Sequence, residues 1–99
     1  MVNSGVYLLE CPYDGVTMLK IGYSKDVVKR LKQHKTSNPY VIPLGYIETD
    51  NYKQLEKELH YKCRMYKMTK EWFLNKEGIK THFKSLPNYK SFDNETNNN

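Results

Sequence analysis

The sequence predicts one small domain of the α/β (α+β) class: a three-stranded antiparallel sheet flanked by about three helices. Three observations carry that expectation. Two short β-prone segments near the N-terminus, Gly5-Val6-Tyr7 and Lys20-Ile21-Gly22, are joined through a turn rich in Pro, Asp and Gly. A third β-prone run follows the first helical stretch. The remaining periodic segments repeat their apolar residues at helical spacing and carry capping residues at their starts.

Taken in order, Gly5 to Glu10 alternates as a strand, and Cys11-Pro12-Tyr13-Asp14-Gly15 reads as a turn. Met18 to Tyr23 is the returning strand. Placing Val6 opposite Ile21 sets Leu8 opposite Leu19 and turns Tyr7 towards Lys20 on the other face. Ser24 is the expected N-cap, with Asp26 in the first turn, of a helix running to about Lys35. Thr36-Ser37-Asn38-Pro39 breaks it. Tyr40 to Thr49 is the third strand, with Pro43 marking an edge or a bulge. Asp50 or Asn51 then caps a second helix to about Tyr66, with Gln54 placed for a capping box. Lys70-Glu71-Trp72-Phe73-Leu74 reads as a short apolar anchor. A last helix from about Lys76 to Ser85 ends before Pro87. Residues 1–86 thus make the domain, and the Asn-rich residues 87–99 are expected to be a disordered polar tail.

At 99 residues the chain has room for one modest core. Its hydrophobic fraction is 38%, but 13% of the residues are aromatic, and each ring buries a large area. A net charge of +5 points either to an anionic partner, for which nucleic acid is the commonest choice in a basic domain, or to no more than a solvated basic surface. Cys11 and Cys63 fall in different elements with no C-x-x-C spacing, which favours reduced thiols and an intracellular setting. His34, His60 and His82 are too scattered for a zinc signature. No apolar run approaches the ~18 residues of a membrane helix, and no signal-peptide core is visible, so a soluble protein is expected.

Two positions look placed for chemistry. On the first helix Val27, Val28 and Leu31 form the apolar stripe, and Arg30 and His34 flank it one turn apart. A guanidinium fork matches phosphate oxygens, and an imidazole can donate to an anion or move a proton. An ordinary basic helix rim has the same spacing. On the second helix Glu56 falls within the inward stripe of Tyr52, Leu55, Leu59, Cys63 and Tyr66. A carboxylate withdrawn from water needs a cation, a metal or a proton. It is read either as a salt bridge to Lys20 or Arg30 or as a ligand for a hard divalent cation such as Mg²⁺. Lys29, Lys32 and Lys35 either follow a phosphate backbone or merely solubilise the helix. Trp72 and Phe73 are read as core, and His60 and His82 as structural.

These residues resemble the GIY-YIG nuclease superfamily, in its phage-type DNA-binding branch. Gly5-Val6-Tyr7 looks like the first motif and Lys20-Ile21-Gly22 like the second, with lysine where most members carry tyrosine. Arg30, His34 and Glu56 match the arginine, histidine and metal-binding glutamate, and Asn75 matches a later asparagine. The segments Thr36-Ser37-Asn38-Pro39 and Glu71-Trp72-Phe73 extend the likeness to about Leu74.

The resemblance implies an enzyme: an Mg²⁺- or Mn²⁺-dependent endonuclease that hydrolyses DNA phosphodiesters. Tyr7, Lys20, Arg30 and His34 would be catalytic, Glu56 would hold the metal, and Lys29, Lys32, Lys35 and Asn75 would contact DNA. Tyr7 would activate water; ionising an ordinary phenol at neutral pH costs roughly 4 kcal/mol, and a nearby Lys20 would lower that cost. The alternative is a DNA-binding module of the same fold that does not cut; in either reading the chain is expected to act as a monomer or transient dimer. A third reading, a small basic protein that docks on an acidic one, makes Glu56 a plain salt-bridge partner.

Overall fold

The computed structural model describes residues 3–70 and 72–92, with only the backbone described at Tyr13. Chain order is β1 (Gly5–Tyr13), β2 (Val16–Ser24), α1 (Val27–Ser37), β3 (Ile42–Glu48), α2 (Tyr52–Lys62), a 3-10 turn (Arg64–Tyr66), β4 (Lys67–Thr69), β5 (Trp72–Leu74), α3 (Glu77–Ser85) and β6 (Tyr89–Ser91). The predicted class and the helices are present. The sheet is larger than expected, with six antiparallel strands in the order β4-β5-β2-β1-β3-β6. β4, β5 and β6 span three residues each, too short to show a period of two in sequence.

β1 sits near the middle of this sheet, and Gly5 through Leu9 are all buried. Its alternation splits the core into two layers. Val6 and Leu8 join Leu19, Ile21, Ile47 and Phe73 on one face, beneath Leu59 and Cys63 of α2 and Ile79 and Phe83 of α3. Tyr7, Leu9 and Cys11 face the other way, beneath Val27 and Leu31 of α1. Gly5 is required by the close approach of β3, because a Cβ there would overlap the Ile47 carbonyl oxygen.

The hairpin register differs from the sequence expectation by two residues. Tyr7 pairs with Gly22, Leu8 with Ile21 and Leu9 with Lys20. The strands run on to a two-residue turn at Asp14-Gly15, whose positive φ values of 53° and 81° suit a tight hairpin with Gly in second place. Turn length therefore fixed the pairing, and the longer loop read from Cys11 onward is strand. A shift of two preserves the face of every side chain, so Tyr7 and Lys20 still share a face.

Several local expectations change for identifiable reasons. Asp26, not Ser24, is the N-cap of α1, accepting from the Lys29 N–H at 3.2 Å, while Ser24 Oγ accepts from Asp26 N–H at 3.1 Å. Gln54 makes no capping box; its amide donates to Glu58 at 3.1 Å, an i,i+4 pair. α2 ends at Lys62 and the backbone tightens into the 3-10 turn before Tyr66. Pro43 lies at the irregularity where β1 and β3 slip past each other at Leu8/Leu9, as a bulge proline should.

The domain boundary at 86 also moves. β6 pairs with β3 through Tyr89, Lys90 and Ser91, and Phe92 is buried in the α1-side cluster. An Asn-rich composition concealed one strand and one buried ring. The rest of the expected tail, 93–99, and Glu71 of the apolar anchor lie outside the described residues. Phe92→Ala should cost about 3 kcal/mol of stability, read as a lower urea midpoint. An unchanged midpoint would return residues from 87 onward to the status of a tail.

Candidate functional site

Four residues of the predicted set lie on the α1 side of the sheet. Tyr7 is 2% exposed, and its strand partner Gly22 brings no side chain across from it. A buried phenol needs a hydrogen-bond partner, and α1 supplies one. The Tyr7 hydroxyl and His34 Nε2 are 3.0 Å apart, with ring centroids 5.3 Å apart. Arg30 lies one turn before His34 on the exposed side of α1. Lys20, opposite Leu9 rather than Tyr7, is half-buried with its ammonium 5.3 Å from the Trp72 ring centroid.

Electrostatics define what this group can do. Burial holds the His34 imidazolium down first, and the positive charges of Lys20 and Arg30 add to it, so His34 titrates at about 4. At neutral pH the ring is therefore uncharged and one of its nitrogens is bare. In the tautomer with the proton on Nδ1, Tyr7 donates to Nε2, and two cations stand beside a neutral dyad. Cations beside a proton acceptor suit an arriving phosphate.

Glu56 comes from the other layer. It lies on α2, which packs on the face carrying Val6, Leu8 and Ile21, whereas Tyr7 points to the opposite face. The single shared surface expected from the sequence is thus divided by the sheet. Glu56 is drawn to the sheet edge by His60, one turn on, with Nε2 to Oε2 at 3.4 Å. His60 Nε2 also lies 2.9 Å from the Ile21 carbonyl, which can only accept, so that nitrogen carries a proton. Among the described residues the last pair of the β2–β5 ladder is Lys20 with Trp72, one residue before Ile21. His60 therefore contacts the β2 backbone at the residue next to Lys20. The sequence reading left His60 without a partner, although the Glu56-x-x-x-His60 spacing was visible.

The predicted DNA contacts divide similarly. Lys29 and Lys32 are exposed on α1, open to a backbone. Lys35 instead donates to the carbonyls of Pro39 and Val41, each at 3.1 Å, and so ties down the loop after α1. Asn75 lies in a shallow depression with Gly15, Val16 and Thr17, at the hairpin-turn end. Thr17 and Gly22, the partner of Tyr7, are roughly 17 Å apart along β2, so Asn75 does not join the dyad. Trp72 is half-buried against the α1-side cluster and Phe73 fully buried, in agreement with a core reading. Trp72 also bears on the site, through its contact with Lys20.

Among the described residues no group of three or more His, Cys, Asp or Glu side chains is arranged around a metal position. What Glu56 offers is one hard carboxylate beside an imidazole already committed to Ile21. That fits a loosely held Mg²⁺ completed by water and phosphate oxygens, and does not fit a pre-built metal cage. Cys11 and Cys63 are free and buried. No helix among the described residues is long and apolar enough to cross a membrane.

The depressed His34 pKa has a measurable consequence. Its folded value, about 4, lies below the ordinary 6.5, so on acidification the unfolded chain takes up the proton first. The contribution is present above pH ~6.5 and is lost as the pH falls towards ~4. Because the ring is half-buried and screened, roughly 1 kcal/mol is expected, or about 5 °C in Tm. The Tm of the His34→Gln protein should fall less between pH 7 and 4 than that of the unaltered protein. Parallel curves would show that His34 titrates normally.

The comparisons bear on the whole fold. The T5orf172 domain model matches residues 4–95, spanning β1 through β6. T5orf172 is a different family from GIY-YIG, so the membership expected from the Gly5-Val6-Tyr7 and Lys20-Ile21-Gly22 motifs does not hold. Short glycine-tyrosine and lysine-glycine strand motifs are compatible with both. No curated protein and no solved structure matches the chain. The T5orf172 family is a phage-type, DNA-binding and nuclease-associated one, which gives a DNA-related role as the coarse reading. The chain belongs to the T5orf172 domain family.

Proposed function

We propose that this chain binds DNA along α1 and the outer part of β2 and hydrolyses a phosphodiester there. The observation that supports it is the neutral His34, hydrogen-bonded to buried Tyr7 at 3.0 Å and standing beside Lys20 and Arg30. Roles follow from exposure. Tyr7 is too enclosed to meet substrate and acts as a positioning residue that fixes the ring and tautomer of His34. His34, half-buried, is the proton acceptor for an attacking water. Arg30 and Lys20 stabilise the charge that gathers on the phosphoryl oxygens as the water–phosphorus bond forms and the bond to the 3′ oxygen breaks. Lys29 and Lys32 carry the flanking phosphates.

Glu56 would hold a divalent cation at the β2 edge, next to Lys20. When bound, Mg²⁺ or Mn²⁺ supplies charge stabilisation for a phosphate or leaving oxygen. A second reading, binding without cleavage, is favoured by one observation: Glu56 belongs to the layer opposite Tyr7 and is engaged by His60.

Plasmid relaxation with Mg²⁺ or Mn²⁺ separates these. Hydrolysis predicts nicking that falls 10²-fold or more in His34→Ala, the usual weight of a general base, with DNA affinity changed little. Tyr7→Phe, which keeps the ring, should lower the rate at least about tenfold with the affinity again preserved. Glu56→Ala should abolish metal-dependent cutting. DNA bound but intact under every condition supports the binding module, and full nicking by His34→Ala contradicts the assigned base.

A further inference from the structure

The end of α2, the 3-10 turn and β4 form a segment whose surface the site above does not use. Tyr61 is 64% exposed, Met65 83% and Met68 55%, in a protein with a small core. Between residues 61 and 70 there are four cations, Lys62, Arg64, Lys67 and Lys70, and no acid. The cations are organised around the rings. The Arg64 guanidinium lies 3.9 Å from the Tyr61 ring centroid, with Nη1 donating to the Tyr61 carbonyl at 2.8 Å. The Lys76 ammonium stands 5.4 Å from the Tyr66 ring centroid.

Position sets this segment apart from the site. β4 is the outermost strand on the β5 side, two strands from β2 and Lys20. Register puts Lys67 level with Phe73 and Leu19 on the α2 face, whereas Lys20 lies level with Leu9 on the α1 face, so the cations of this segment would follow phosphates away from the α1 interface, with exposed Met65 among them. Methionine is among the apolar residues that enter a groove and part a base step. A second copy of the chain is the less suitable occupant, because edge pairing at β4 would set Lys67 and Lys70 against their own copies.

We propose that residues 61–70 form a second DNA contact, in which Met65 enters a groove as an apolar wedge while Arg64 and Lys67 hold phosphates beside it. This rests on the DNA-binding part of the function proposed above, and needs neither cleavage nor metal.

The test uses the full chain and 20-bp duplexes in which 2-aminopurine is moved step by step, with anisotropy and fluorescence read together. Bound duplex should show 2-aminopurine brightening at one or two steps. Met65→Ala, an exposed substitution, should lose that brightening and weaken binding about tenfold, while Met65→Leu restores both. Arg64→Ala with Lys67→Ala should lower the slope of log affinity against log salt by about 2. Tight binding with no brightening, or with Met65→Ala equal to the unaltered protein, overturns the wedge and leaves the α1 interface standing. No binding of any duplex overturns the DNA reading itself. Sedimentation showing a dimer that Met68→Lys dissolves would assign the patch to self-association and overturn the proposal.

Discussion

Placing β1 inside the sheet, with helices over both faces, constrains everything else in this molecule. A strand buried on both sides must be apolar at nearly every position, and Gly5-Val6-Tyr7-Leu8-Leu9 nearly is. The exception is the Tyr7 hydroxyl. Buried without a partner it would cost a few kcal/mol, comparable to a large share of a small domain's stability. His34 of α1 accommodates it at 3.0 Å. Once α1 is docked by Val27 and Leu31, Arg30 and His34 face the rim of the sheet where Lys20 emerges. One satisfied hydrogen bond thus sets the site.

How much of this was legible varies with the physical signal. The hairpin, α1 and the face shared by Tyr7 and Lys20 follow from alternation and helical period, which survive a register error of two. The register itself was misread because hydrophobic matching tolerates either pairing, whereas the Asp14-Gly15 turn allows one. β4, β5 and β6 could not be read, since three residues contain no period, and they form by pairing with strands already in place. Phe92 was concealed by its asparagine-rich surroundings, although two aromatics, Tyr89 and Phe92, in a polar stretch were a fair hint. Glu56 was correctly read as a withdrawn carboxylate. What the sequence reading did not name is His60, one turn on along the same helix, whose Nε2 lies 3.4 Å from the Glu56 carboxylate.

That last difference matters for function. A motif-level likeness invites carrying over a complete catalytic set onto one surface. Here the set is distributed across the thickness of the sheet, with a neutral dyad and two cations on one side and the acid at the edge of the other. The motif likeness was also wrong about family, since the chain is a T5orf172 domain across β1 to β6. The α1 side stands on its own geometry. An imidazole kept uncharged first by burial and then by neighbouring cations is a combination that would suit both the phosphate binding and the proton transfer proposed for it.

The state of His34 is the point on which the account turns, and long-range ¹H–¹⁵N NMR of the imidazole reads it directly. The ring should stay neutral from pH 8 down to about 5, with Nδ1 protonated and Nε2 accepting from Tyr7, and its signals should shift on addition of duplex DNA. A ring that takes up its proton near the ordinary 6.5 and does not respond to DNA would contradict it.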